Sequence, residues 1–482
     1  MANRRPDRTA DPDDAPLAPA PDGLSVAQIL GYSLPAFGSA MVLISVGVYL
    51  PKFYTDELLV GPALLSWVFL LGRVWDAITD PLMGYVSDRT RTRWGRRRPY
   101  FLVSAVPIGV IFYFIWSPAA SLSQTGLFVH LLVCYLALYT FWTVFSIPYI
   151  SLGAEMTTHY HERTRLFGAR QAFFVAGTAF GTLAPVYFAQ RAGDAREGYS
   201  LMAAVFGALT MLLIVFAFTR VREKRSHAPR DPLPFFQGLR VTFKNRAFVV
   251  LMFVYVTSLV GSSFLAMLTP YIAQYVIHES WVVPWVVLAF MGGSVGSIYL
   301  WVQMAKRHGK NKTWSVAMAI GTAGYFCSLT YHEGTWVRWI VLAVIVGAAS
   351  GCTSAIGNAI LADVVDSDEL ETGKRREGAF FGIMALLDKA AVGLAAFIGL
   401  RGLDAIGYQP NVAQTESVIF GMKFLYCLLP AICHLAALIL FQRFPITREV
   451  HAEIQAELAR RAVRRHETDR GENGSAPGPP GA

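Results

Sequence analysis

Three residues within a single apolar stretch bring together the oxygen atoms that ion chemistry requires. Asp76, Thr79 and Asp80 stand at i, i+3 and i+4, so a helix places them on one face. A carboxylate in a membrane interior is costly unless paired or solvated, which makes each acid a functional candidate. Two carboxylates one turn apart repel each other. One proton between them removes that repulsion. A sodium ion does the same, because hard cations take oxygen ligands, and Thr79 adds a hydroxyl. The plainer reading is that Arg73 or Lys389 neutralises the acids as buried ion pairs. Lys389 lies in the middle of a distant apolar block with Asp388 beside it, and a buried ammonium also needs a partner. Asp388 offers a local counter-charge, although adjacent helical residues point about 100° apart.

The elements that hold these residues follow from composition. The chain has 482 residues, 54% hydrophobic and only 16% charged. Its apolar residues fall into blocks near 27–53, 61–86, 99–117, 125–156, 165–190, 198–219, 247–277, 281–304, 313–331, 335–362, 377–401 and 417–442. Blocks of roughly 20 residues span a bilayer as helices. Lipid leaves bare backbone unsatisfied, so the spans must be helices or a closed barrel, and continuous apolar runs favour helices. The expectation is an all-α membrane protein of twelve transmembrane helices.

The loops orient it. Arg89 to Arg98, Arg163 and Arg165, Arg220 to Arg246, Lys306 to Lys312 and Lys374 to Arg376 follow even-numbered blocks and hold most of the loop cations. Connections after odd-numbered blocks hold only Lys52, Arg191, Arg196, Arg338 and Arg401. Basic loops stay in the cytoplasm, so both termini are expected there, in a cell membrane. The division expected is a disordered arm over 1–24, a six-helix bundle over 25–220, a cytoplasmic linker over 221–246, a second bundle over 247–443 and a tail over 444–482. A surface helix from Thr447 to His466 is expected in that tail. The loops after blocks two and eight, and after blocks four and ten, echo each other, which indicates parallel repeats about an axis along the membrane normal.

Other classes fit poorly. The net charge of +9 sits in short loops, so nucleic acid is not an expected partner. Cys134, Cys327, Cys352, Cys427 and Cys433 all fall in apolar blocks without metal-ligand spacing. A membrane-embedded enzyme would need a nucleophile or a metal cluster, and His159 with His161 in a loop is neither. A receptor without transport would leave the Asp-Thr-Asp face unexplained. No enzyme, no cofactor and a monomer are expected.

Longer motifs carry a resemblance. Gly84-Tyr85-Val86-Ser87-Asp88-Arg89 with Gly95-Arg96-Arg97 resembles the signature loop of the major facilitator superfamily. The string from Arg73 to Gly84 is similar to the second-helix motif of the glycoside–pentoside–hexuronide:cation symporters, the melibiose permease-like family. Tyr54-Thr55-Asp56, Ile147-Pro148-Tyr149, Ala362-Asp363-Val364-Val365-Asp366 and the segment Ile406 to Val412 agree in order and position. The resemblance spans residues 28 to about 455. It implies the major facilitator fold, two pseudo-symmetric six-helix bundles, and solute entry coupled to sodium, lithium or protons.

The resemblance also implies roles. Thr143 matches a threonine of the family's cation site, which joins Asp76, Thr79 and Asp80. Lys389 matches a lysine near that site and is expected to pair with Asp76 or Asp80 when no cation is bound. Arg170 matches an arginine that holds substrate, with Ser39, Ser146 and Tyr149 nearby. Apart from the resemblance, opposite charge is the ground for expecting Arg73, Glu162, Arg163 and Arg165 to join Asp363, Asp366 and Arg375 in a gate between the halves, the alternative being solvated loop charges worth little. The galactoside-carrying branch has a Lys-Asp pair and then an aspartate and a tryptophan where this chain has Ser39, Ala40, Ser146 and Ile150. Both sugar-holding acids and the ring are absent. A small carbohydrate or glycoside is the family default as solute, and a lysophospholipid or other amphiphile is the alternative.

Overall fold

The computed structural model describes residues 24–157, 159–223, 242–373 and 376–474. The arm over 1–24 and the linker over 221–246 therefore fall largely outside the described residues. Among the described residues, twelve long helices follow in order. They are α1 (Val26–Glu57), α2 (Pro62–Arg89), α3 (Pro99–Trp116), α4 (Gln124–Met156), α5 (Tyr160–Arg191) and α6 (Ala195–Arg220). After the linker come α7 (Arg246–Ile277), α8 (Ser280–His308), α9 (Lys310–Cys327), α10 (Trp336–Thr372), α11 (Glu377–Ala405) and α12 (Glu416–Phe441). A tail helix, α13 (Arg448–Gly474), closes the described chain and runs past the His466 end expected from sequence.

Ten of the twelve are long and apolar enough to cross a membrane by length and composition. The exceptions are informative. The α2 helix carries Arg73, Asp76 and Asp80 within its span, and α9 is short and opens on Lys310, Asn311 and Lys312. Both helices lose apolar character at charged or polar residues and still take their place in the bundles.

Packing repeats between the halves. The α1 helix packs on α5 and α6, and α7 packs on α11 and α12; α2 packs on α4 as α8 does on α10; α3 contacts α4 and α6 as α9 contacts α10 and α12. Across the seam, α2 meets α11 and α5 meets α8. A pseudo-twofold relation between the halves accounts for each of these pairs. Close crossings need small residues, as helix contacts in lipid generally do. A methyl group on Gly347 of α10 would lie 2.1 Å from the Phe290 carbonyl oxygen of α8, and one on Gly351 would lie 2.2 Å from that of Ser294.

The ends of α1 and α7 match in detail. Each has a proline, Pro51 or Pro270, and then a π-helical turn, Phe53–Glu57 or Ala273–Ile277. Each turn leads into a residue with positive φ, Leu59 or His278. Val60 N–H donates to Tyr54 O at 2.8 Å, and Glu279 N–H donates to Ala273 O at the same distance. Proline withholds one backbone donor, and π turns commonly form where the regular ladder is broken. Residues 219 apart are thus equivalent, which pairs Asp56 with Tyr275.

Candidate functional site

Asp76 and Asp80 project from the middle of α2 toward α4 and α11. Arg73 Nη1 lies 3.2 Å from Asp76 Oδ2, one turn back on the same helix. Its guanidinium also covers the Tyr139 ring of α4 at 4.8 Å. Lys389 from α11 donates to Asp80 Oδ2 and lies 3.6 Å from Asp76 Oδ2. Thr143 of α4 donates to Asp80 Oδ1 at 2.8 Å. The lysine therefore bridges the halves by reaching both acids, while arginine and threonine serve one acid each. Gly393, one turn beyond Lys389, leaves room for the Arg73 stem, since a methyl there would sit 2.5 Å from Arg73 Cγ.

Asp76 is 1% exposed, and its Oδ1 has no hydrogen-bond partner. A buried oxygen left without a donor calls for an explanation, and a coordinated cation is one. Oxygen is the donor type that the side chains of Asp76, Asp80 and Thr143 offer, and it is the type a hard cation takes. The Thr79 hydroxyl donates to Trp75 O at 3.1 Å, along its own helix. Asp388 faces Tyr255 of α7, and its Oδ1 lacks a partner. The counter-charge expected of Asp388 is thus supplied by α2 instead, because neighbouring positions on α11 point to different sides.

The remaining expected residues divide by burial. Arg170 lies over the Tyr149 ring at 5.5 Å, with its Nε buried and unpartnered. Tyr149 itself is 2% exposed, stacks on Tyr32 and Phe145, and donates to Tyr32 O at 2.6 Å. Ser39 is buried, and Ser146 is half-buried on α4. Tyr149 and Ser39 are held in helix packing.

On the face that carries the basic loops, the described ion pairs run within each half. Arg96 and Arg97 meet Glu155 at 2.9 and 2.8 Å, and Arg97 meets Asp88. Glu162 accepts from Leu24 N–H and Thr157. Arg163 and Arg165 are exposed. Asp363 is held by Lys310 at 2.7 Å and by His451 of α13 at 3.3 Å. Asp366 takes His451 and Gln455 of the same tail helix. Arg375 lies outside the described residues.

The opposite face holds a cluster to which the sequence reading assigned no role. Asp56 is 2% exposed and accepts from the Tyr275 hydroxyl at 2.8 Å and from that of Tyr408. Lys52 pairs with it at 2.6 Å, and Thr55 Oγ1 donates to it at 2.7 Å. Asn411 Nδ2 donates to Asp56 O at 2.7 Å, and its backbone N–H donates to the Tyr275 hydroxyl. Thr55 also meets Tyr271 at 2.9 Å. Burial, and then the Asp56 charge, push the Tyr408 phenol far above its ordinary value, so it donates and does not ionise. The available signal was the shared setting of Tyr54-Thr55-Asp56 and of Tyr408 to Asn411, each placed where an apolar block ends.

Comparisons with known proteins bear on the family and the fold. The family model described as MFS/sugar transport protein matches residues 31–448. The glucuronide carrier protein homolog of Escherichia coli K12 is 27% identical, over 91% of this chain and 96% of that one. The isoprimeverose transporter of Lactiplantibacillus pentosus is 26% identical, over 83% and 85%. A sodium-dependent lysophosphatidylcholine symporter 1, from Gallus gallus, is 25% identical, over 89% and 88%. Among solved structures, a mutant of the nucleoside transporter NupG aligns with a TM-score of 0.62 at 16% identity, over 87% of this chain and 98% of that one. That last likeness concerns the fold, which is the two-bundle major facilitator fold expected from the sequence.

Proposed function

We propose that this chain, which belongs to the MFS/sugar transport protein family, couples the entry of a small solute to a sodium or proton gradient by alternating access. In this reading Asp76, Asp80, Thr143 and Thr79 hold the cation, and Lys389 is its competitor. The observation that carries it is the Lys389 ammonium on Asp80 and Asp76, from the opposite half of the molecule. Cation and ammonium want the same oxygens. A cation that takes them releases Lys389, and with it one tie between α11 and α2. Cation occupancy and the relation of the two halves are thereby linked. Asp388 stays a second coupling candidate through Tyr255, and Arg170 holds the polar part of the solute beside Ser146.

The bundles over 25–220 and 247–443, both termini in the cytoplasm and a place in the cell membrane as a monomer complete the proposal. Arg163, Arg165 and Glu162 would meet Asp363, Asp366 and Arg375 when the basic-loop face closes. A glycoside or related carbohydrate is the first solute class. The missing acids at Ala40 and Ser146 favour an amphiphile as the second.

Uptake into proteoliposomes tests this, with sodium, lithium and proton gradients applied in turn over a panel of solutes. Asp80→Cys is expected to abolish gradient-driven accumulation while retaining counterflow, which needs binding but no net coupling. Accumulation by that variant at the wild-type level would sink the cation assignment.

A further inference from the structure

A cavity of about 200 Å³ lies at the seam between the halves, inward of the Asp56 cluster. Ile44 and Val48 of α1 close it from one half; Leu265, Phe290, Leu342 and Ala343 line it from the other. Its polar wall atoms are already engaged within the protein. Ser262 donates to Ser258 O, Thr269 to Leu265 O and Ser328 to Gly324 O, at 3.1, 2.6 and 2.9 Å. The Tyr426 hydroxyl accepts from Trp339 at 3.0 Å and meets Thr269 at 3.2 Å. What faces the space is mainly hydrocarbon. Such a wall binds carbon and has few hydrogen bonds to give a sugar hydroxyl.

Size narrows the occupant. An apolar protein cavity of about 150 Å³ stays dry and binds benzene. The present one is somewhat larger, so it takes one aromatic ring with a small substituent, or a short branched alkyl group. Its position matters as much as its volume, since both halves contribute and an occupant touches both.

We infer that the transported solute carries a compact apolar substituent, aryl or short branched alkyl, that seats in this cavity. The inference rests on the transporter reading above and names the chemistry of one end of its substrate. It explains why a chain that lacks the sugar-holding acids keeps the cation machinery. Part of the recognition energy comes from an apolar group in the C-terminal half.

Matched methyl and phenyl β-glycosides of glucose, xylose and glucuronic acid, with a long-chain lysophosphatidylcholine, serve as probes in proteoliposomes under a cation gradient. Wild type is expected to favour the phenyl member by about tenfold or more in kcat/KM for at least one pair. The readout is the phenyl-to-methyl ratio within each protein. Ala266→Phe fills the cavity from an exposed position on its wall and should bring the ratio near one. Leu342→Ala enlarges it and should raise the preference for a naphthyl over a phenyl glycoside. Equal uptake of methyl and phenyl members by wild type overturns the inference and leaves symport standing. So does a phenyl preference that neither variant changes. Accumulation of the lysophosphatidylcholine alone overturns the compact-group assignment and the carbohydrate reading together. Accumulation of no probe under any gradient overturns the inference, because no solute with the compact apolar group is then carried.

Discussion

At the end where α1 and α7 meet, polar groups of the two halves are tied to one another. On the basic-loop face, the described pairs tie each half to itself. Asp56 takes its phenols from α7 and from the loop after α11, whereas Glu155 takes its guanidiniums from the loop before α3, and Asp363 its lysine from α9. The two kinds of cluster have similar chemistry, a buried or half-buried acid with several donors. They differ in what breaking them releases. Loss of the first frees one half from the other, and loss of the second loosens a half internally. The difference follows from the repeat. Asp56 and Tyr275 occupy equivalent positions, so the pseudo-twofold brings them face to face at one end only.

The largest expected effect comes from Asp56→Ala. The carboxylate is nearly inaccessible, and its removal strands Lys52 and two phenols. Breaking a buried charged cluster by deleting one partner costs about 3–5 kcal/mol. Here the loss falls on the seam, so the end carrying Asp56 should open. Spin labels on exposed Leu64 of α2 and Phe420 of α12 would report a longer distance population by electron–electron resonance. Tyr408→Phe removes one bond to a charged acceptor and should show the same shift at about 1.5–3 kcal/mol. Unaltered distances in Asp56→Ala would show that the cluster does not hold the halves together.

An ion pair on the other face sharpens the contrast. Arg376 meets Asp368 in a two-pronged contact at 2.9 and 2.6 Å, and Asp368 is 2% exposed. Both residues belong to the C-terminal half. Arg376→Ala should destabilise the protein by about 3 kcal/mol, because it leaves a buried carboxylate unpaired. It should lower the thermal midpoint while leaving the Leu64–Phe420 label distance unchanged. A shift in that distance would mean that the pair acts on the seam and that the distinction between the faces is wrong.

How far these features were legible in sequence depends on what each contrasts with. Asp76 and Asp80 stood out because charge interrupts an apolar run, and the twelve spans stood out by length. Hydropathy ends the α10 span near 362, whereas the helix continues to Thr372. Its last turns carry Asp363, Asp366 and Asp368, which hydropathy reads as loop although a charged helix forms there. Asp56 ended an apolar block and passed for a loop acid, and Tyr275 was one aromatic among many. The prolines at 51 and 270 were the visible trace of their equivalence. The seam cavity left no trace in sequence, because a void is set by how distant helices pack.

The smallest effect is expected at the tail. The α13 helix docks on the basic-loop face through His451 and Gln455 on the α10 acids, through Arg461 on Leu370 O at 2.6 Å, and through Ile454, which is 7% exposed. Polar contacts at a partly exposed rim contribute less than about 1 kcal/mol, since water competes for the same groups. A buried isoleucine contributes more, and Ile454→Ala should cost about 2 kcal/mol of docking at this edge of the core. His451→Ala should therefore raise hydrogen exchange in α13 only a few-fold, and Ile454→Ala should raise it about thirtyfold. Neither should move the labels at the far end, because the tail contacts described here reach one half alone. If His451→Ala exceeded Ile454→Ala, the acids of α10 would be gripping the tail more strongly than its apolar face does. The tail would then belong with the Asp56 cluster as a polar latch.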